Sequence, residues 1–149
     1  MKIRHFNTFL FLALLGASAS AHAAESLHFN ATIPRSSFEK IKFYASNALG
    51  EDIQNFDIGK TDLNNDGLDE FITRSKNCEK TLKCRFYIFA ETNDSILSLG
   101  TFEGKNLLLG NEFRHGIRNL LIFNNPSNDF DYHLYTWHPE TSAYRKSGS

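Results

Sequence analysis

From Phe56 to Lys146 the chain is a succession of short runs rich in Phe, Tyr, Ile and Leu, each set off from the next by a cluster of Asn, Asp, Gly or Ser. Runs so brief lack the apolar repeat at i, i+3, i+4 and i+7 that a core helix needs, so they read as strands joined by tight turns. The spacing predicts strands near 56–60, 68–74, 84–91, 96–102, 117–124, 132–137 and 143–146, the last two joined by a turn at His138-Pro139-Glu140-Thr141. Upstream, Leu27, Phe29, Ala31 and Ile33 alternate with polar residues, the period of one more half-buried strand, which Pro34 ends. Ser36 followed three positions later by Glu39 reads as a capping box, and Phe38, Ile41, Ala45, Ala48 and Leu49 then recur at helical spacing until Gly50 offers a stop. Sequential strands with short connectors and one helix predict an α+β domain, one N-terminal helix against a mainly antiparallel β meander of about six to eight strands.

The first residues predict a compartment. Met1 to His5 carries Lys2 and Arg4, an apolar run from Phe9 to Leu15 follows, and small residues lead to Ala21-His22-Ala23. That three-part layout predicts a signal peptide over 1–23 and a single periplasmic or secreted domain over 24–149. The apolar run is shorter than the ~20 residues that span a bilayer, so stable membrane insertion is not expected. Removing Lys2 and Arg4 takes the net charge from −1 to −3, with 14 basic residues against 17 acidic, and no Lys/Arg run exceeds two residues. A nucleic-acid binder would carry a basic footprint that this chain lacks. With 41% apolar and 22% charged residues, the chain has enough apolar surface for a core and too little charge for a disordered tail. In an oxidising compartment Cys78 and Cys84, the only cysteines, are expected to form a disulfide across a six-position step. A metal or redox pair would want CxxC spacing or a nearby His, and neither is there.

The most informative segment is Asp62-Leu63-Asn64-Asn65-Asp66-Gly67-Leu68-Asp69-Glu70. Oxygen side chains at positions 1, 3 and 5, a Gly at 6 and a carboxylate at 9 are how a short loop wraps a hard cation, because alternate residues point inward while Gly takes a backbone angle that a side chain resists. Asp62, Asn64, Asp66 and Glu70, with the Leu68 carbonyl and water, could supply the roughly six to eight oxygens that Ca²⁺ takes. An EF-hand is not the assignment, since position 12 is Thr73 instead of a bidentate Glu and both flanks read as strands. The other reading of the same residues is a solvated Asx turn without metal, for Asn-Asp-Gly is a turn signal in its own right.

The segment DLNNDGLDEFI resembles the calcium-binding hairpin loops of FG-GAP and VCBS repeats, the integrin-type propeller family, whose motif runs Asp-x-Asn/Asp-x-Asp-Gly-x-x-Asp into an apolar strand. Here Glu70 stands at the ninth position. The resemblance covers about a dozen residues and implies a calcium loop, not a propeller, which takes several blades. More loosely the chain is similar to small exported bacterial proteins that combine one such loop with a short Cys-Cys segment, a Gly-x-x-x-Leu strand (Gly116 to Leu120) and a Tyr/Trp hairpin (Tyr132 to Tyr144).

Other chemistry is sparse. His28, His115, His133 and His138 show no HxxxH, HxH or HExxH spacing, and GxSxG and SxxK are missing. Arg114, His115 and Arg118 make a small basic spot that reads as a solvated rim. Glu112, Asp129, Asp131 and Glu140 could supply a carboxylate pair for glycoside hydrolysis. Phe130, Tyr132, Tyr135, Trp137 and Tyr144 alternate along the C-terminal hairpin either as core or as a recognition surface, and Tyr132, Tyr135, Trp137 and Tyr144 are the candidate partner surface. The leading expectation is a non-enzymatic module with a structural Ca²⁺ that binds another protein, such as an inhibitor or immunity protein against a cell-wall hydrolase or toxin. The competing one is a small periplasmic hydrolase using a metal or a carboxylate pair.

Overall fold

The structure is a computed structural model that describes residues 24–78, 83–125, 127–128 and 131–148. The expected signal peptide, the centre of the cysteine loop, Asp129 and Phe130 lie outside the described residues. The elements run β1 (Glu25–Ser26), α1 (Arg35–Tyr44), β2 (Phe56–Thr61), β3 (Glu70–Ser75), β4 (Cys84–Glu91), β5 (Ile96–Gly104), β6 (Asn106–Arg114), β7 (Ile117–Phe123), β8 (Tyr132–His138) and β9 (Ala143–Lys146). They build two antiparallel sheets, one of four strands in the order β2-β3-β4-β5 and one of five in the order β1-β6-β7-β8-β9. The fold is α+β and mostly strand.

The layering follows from β4. Phe86-Tyr87-Ile88-Phe89 shows no polar alternation because both of its faces are covered. Phe86 and Ile88 enter a core shared with Leu107, Leu109, Leu120 and Ile122 of the five-stranded sheet. Tyr87 and Phe89 enter a second core with Ile41 and Ala45 of α1 and the turn after it. The four-stranded sheet is thus the middle of three layers, and each large side chain it buries contributes about 2 kcal/mol.

Several features differ from expectation. Two sheets replace one meander, because the chain crosses between them at Gly104, where a Cβ would stand 2.5 Å from Ile122 Cγ2 and 2.9 Å from Phe123 O. Only glycine allows that corner, and the strand just past it, β6, was not expected. The segment 27–33 keeps the expected alternation of half-buried and exposed residues but forms no ladder beyond the Ala31 N–H bond to Ile58 O (3.1 Å). It lies across Gly59, where a Cβ would meet His28 O at 2.9 Å. The helix is therefore not the N-terminal element, since β1 and this segment precede it. Nor does the Ser36/Glu39 box form: Pro34 is the N-cap without a side-chain bond, and Ser36 sits exposed inside the first turn. A fixed proline φ already suits a helix start. The helix continues as a π turn over Ala45–Leu49 and stops at Gly50 in the left-handed region (φ 67°).

Candidate functional site

The acidic loop joins β2 to β3, and the strands close beneath it with Thr61 opposite Glu70. Its first carboxylate organises the backbone. Asp62 Oδ1 accepts the N–H groups of Asn64 (3.2 Å) and Asp66 (3.2 Å), while Oδ2 accepts that of Gly67 (2.8 Å). Burial pushes the Asp62 carboxyl up, but the amides of Gly67, Asn65, Asn64 and Asp66 together hold it below its ordinary 3.8. Asn65 and Gly67 take left-handed backbone (φ 58° and 86°), which Asn and Gly adopt most readily. Asn64 Oδ1 accepts from Asp66 N–H (3.0 Å), Asn64 Nδ2 donates to Asp66 Oδ2 (2.9 Å), and Asp66 Oδ1 accepts from Leu68 N–H (2.8 Å).

Sequence reasoning missed what moors this loop. Leu63 is fully buried in the core between the sheets. Its N–H donates to Glu70 Oε2 (2.7 Å) and its carbonyl accepts from Arg118 N–H on β7 (2.8 Å). The Arg118 carbonyl accepts from the Tyr144 hydroxyl (2.8 Å), so the loop is tied to the five-stranded sheet. Its one signal was an apolar residue at the second position of the acidic run, and Leu68, the other leucine of that run, is exposed. Glu70 turns inward and is 6% exposed. Burial, reinforced by the charges of Asp66 and Asp62 and opposed by the Leu63 N–H, pushes its carboxyl up to about 7.

Asp62, Asn64 and Asp66 are thus joined by hydrogen bonds, with Glu70 beneath them, while the Leu68 side chain points to solvent (68% exposed) and Asp69 pairs with Lys60 (2.9 Å). Among the described residues no three His, Cys, Asp or Glu side chains enclose a metal position. The donor set is all oxygen, which suits a hard divalent cation. A carboxylate has about four acceptor sites, so the loop's own hydrogen bonds leave capacity at Asp66 and Glu70. Asn64, Asp66, Asp69 and Glu70 also wall a groove of about 520 Å³, faced by Ser37, Lys40 and Glu91. Lys40 Nζ donates to Glu91 Oε1 (2.8 Å) and Ser37 Oγ to Glu91 Oε2 (2.7 Å), and the two in that order hold the Glu91 carboxyl below its ordinary range.

The chain matches no family model, curated protein or solved structure. Function is therefore argued from the site. Cys78 and Cys84 are joined by a disulfide and lie in the core between the sheets. The aromatic hairpin is not the expected surface. Trp137 and its register partner Tyr144 face inward at 8% and 6% exposure, and Tyr135 packs edge-on against Phe102 at 4.8 Å. Alternation puts these three on the covered face; only Tyr132, on the opposite face beside Phe123, remains open. Of the histidines, His28 and His115 are exposed, His133 lies 3.3 Å from Asn124 Nδ2, and His138 Nδ1 pairs with Glu140 (2.8 Å). Asp131 accepts from Asn124 (3.4 Å) and Glu112 is exposed.

Proposed function

We propose that the protein is an exported, non-enzymatic binding module whose acidic loop is stiffened by a structural Ca²⁺, and that it acts on another protein as an inhibitor or immunity protein against a cell-wall hydrolase or toxin. The observation that carries the calcium reading is the crowding of Asp62, Asp66 and Glu70. Burial is the largest cause of the raised proton affinity of Glu70, the charges of Asp66 and Asp62 add to it, and a divalent cation would relieve that added repulsion. Asp62, Asn64, Asp66 and Glu70 would hold the ion with the Leu68 carbonyl, in the manner of the FG-GAP and VCBS loops they resemble. The ion would add rigidity to a loop that Leu63 moors to both sheets. The disulfide supports export, since such bonds persist in oxidising compartments. No helix among the described residues is long and apolar enough to cross a membrane.

Thermal melting and co-purification test this reading. An affinity in the range of about 10⁻⁴ to 10⁻³ M means that millimolar calcium raises the wild-type Tm by mass action, while Asp66→Ala gains little. An unchanged wild-type melting curve refutes the calcium site. A protein partner retained from the exported fraction supports the binding module, whereas turnover of a cell-wall substrate by the purified chain assigns a hydrolase instead.

A further inference from the structure

An apolar recess lies away from the acidic loop, between α1 and the turn that joins β4 to β5. It is an open groove of about 590 Å³. Phe43, Tyr44 and Ala48 form its helical side and Ile96 its sheet side. Phe43 is 72% exposed, on the helix face opposite the buried Ile41 and Ala45. Its ring stands at the lip of the groove and continues the apolar lining of Tyr44, Ala48 and Ile96, so the open apolar surface there is a patch and not one isolated side chain.

The rim charge says what would cover it. Lys40 is the groove's cation, but its ammonium already donates to Glu91 Oε1 (2.8 Å), Thr92 O (3.0 Å) and Asn93 O (3.0 Å), which uses all three of its protons. Glu39 and Asp94 border the same groove, and their carboxylates make no hydrogen bond or ion pair to any described residue. An apolar floor between two unpaired carboxylates is complementary to an apolar side chain flanked by basic ones. We infer that this groove docks a cationic amphipathic segment of a partner protein, its apolar side chain seated against Phe43 and its Lys or Arg residues meeting Glu39 and Asp94. The inference deepens the binding-module reading and rests on it in taking the occupant to be a protein.

The probe is a fluorescein-labelled amphipathic helix of leucine and lysine, about a dozen residues long, titrated with the full mature chain at low salt and followed by anisotropy. Wild type is expected to bind it, Phe43→Ser to weaken binding about 10-fold, and the pair Glu39→Gln/Asp94→Asn about 5-fold, with Tm unchanged. Glu103→Gln, a charge change outside this groove, should leave binding as it was. Equal binding of a leucine and glutamate helix, insensitivity to Phe43→Ser, or the same loss with Glu103→Gln overturns the inference. So does sedimentation showing a Phe43-dependent dimer, which would seat a second copy in the groove. No residue of the acidic loop lines it, so each titration is run with calcium and with chelator. Phe43-dependent binding that ignores calcium leaves this inference standing even if the calcium site fails. Retention of the natural partner by Phe43→Ser sinks this inference and leaves the binding module intact.

Discussion

Replacing Glu70 by Gln isolates the electrostatic cost of the acidic loop. The carboxyl is 6% exposed, faces Asp62 and Asp66 across the loop, and lies near enough to Tyr144 to help push that phenol up. Its pKa rises from an ordinary 4.5 to about 7 in the folded chain, and at ~1.4 kcal/mol per pH unit the difference is about 3 kcal/mol. The folded state therefore holds the proton more tightly than the unfolded state. That advantage is fully present below pH 4.5 and is lost as pH rises through 7. Gln keeps an oxygen for the Leu63 N–H but never ionises. In chelator, urea denaturation followed by circular dichroism should find the two proteins close at pH 4.5, with Glu70→Gln pulling ahead by about 2 to 3 kcal/mol by pH 8. Every other titrating group is common to both chains, so the difference between them reports Glu70 together with its coupling to Asp62, Asp66 and Tyr144. A gap that does not grow with pH would show that the carboxyl is solvated in the folded state and that neither burial nor the charges of Asp66 and Asp62 raise its proton affinity.

Three further perturbations probe the scaffold. Ser37→Ala removes a buried hydroxyl from the Glu91 carboxylate and should cost about 1.5 kcal/mol in denaturant, whereas Ser36→Ala should fall within about 0.5; a larger loss at Ser36 would restore the capping box. Leu63→Ala should cost about 3 kcal/mol and speed amide exchange at Arg118, and unchanged exchange there would mean that the loop is not moored through this residue. Gly59→Ala places a methyl 2.9 Å from the His28 carbonyl, so it should cost about 1 to 3 kcal/mol and raise proteolysis near residues 27–33, and full stability would show that this segment lies elsewhere.

What could be read from one dimension was whatever depends on near neighbours. Asx and Gly spacing marked the turn at 62–70, Gly50 marked the end of the helix, and apolar runs marked most of the strands, because hydrogen bonds to adjacent amides, backbone angles and side-chain period are local. Alternation at 27–33 correctly gave which residues are half-buried, yet not a ladder, since burial needs only a covering surface while a ladder needs a partner strand in register. Decisions made across the molecule were out of reach. Phe86 to Phe89 announced a strand, but only three layers explain why both of its faces are apolar. Leu107-Leu108-Leu109 became the inner strand β6 because Gly104 let the chain turn the corner beneath Ile122. Trp137 and Tyr144 could have faced water or core with equal local propriety, and the packing of the second sheet sent them inward. The acidic loop was legible as a loop, whereas its mooring through Leu63 and the proton affinity of Glu70 arise from groups over 40 positions apart and from burial, which only the folded chain creates.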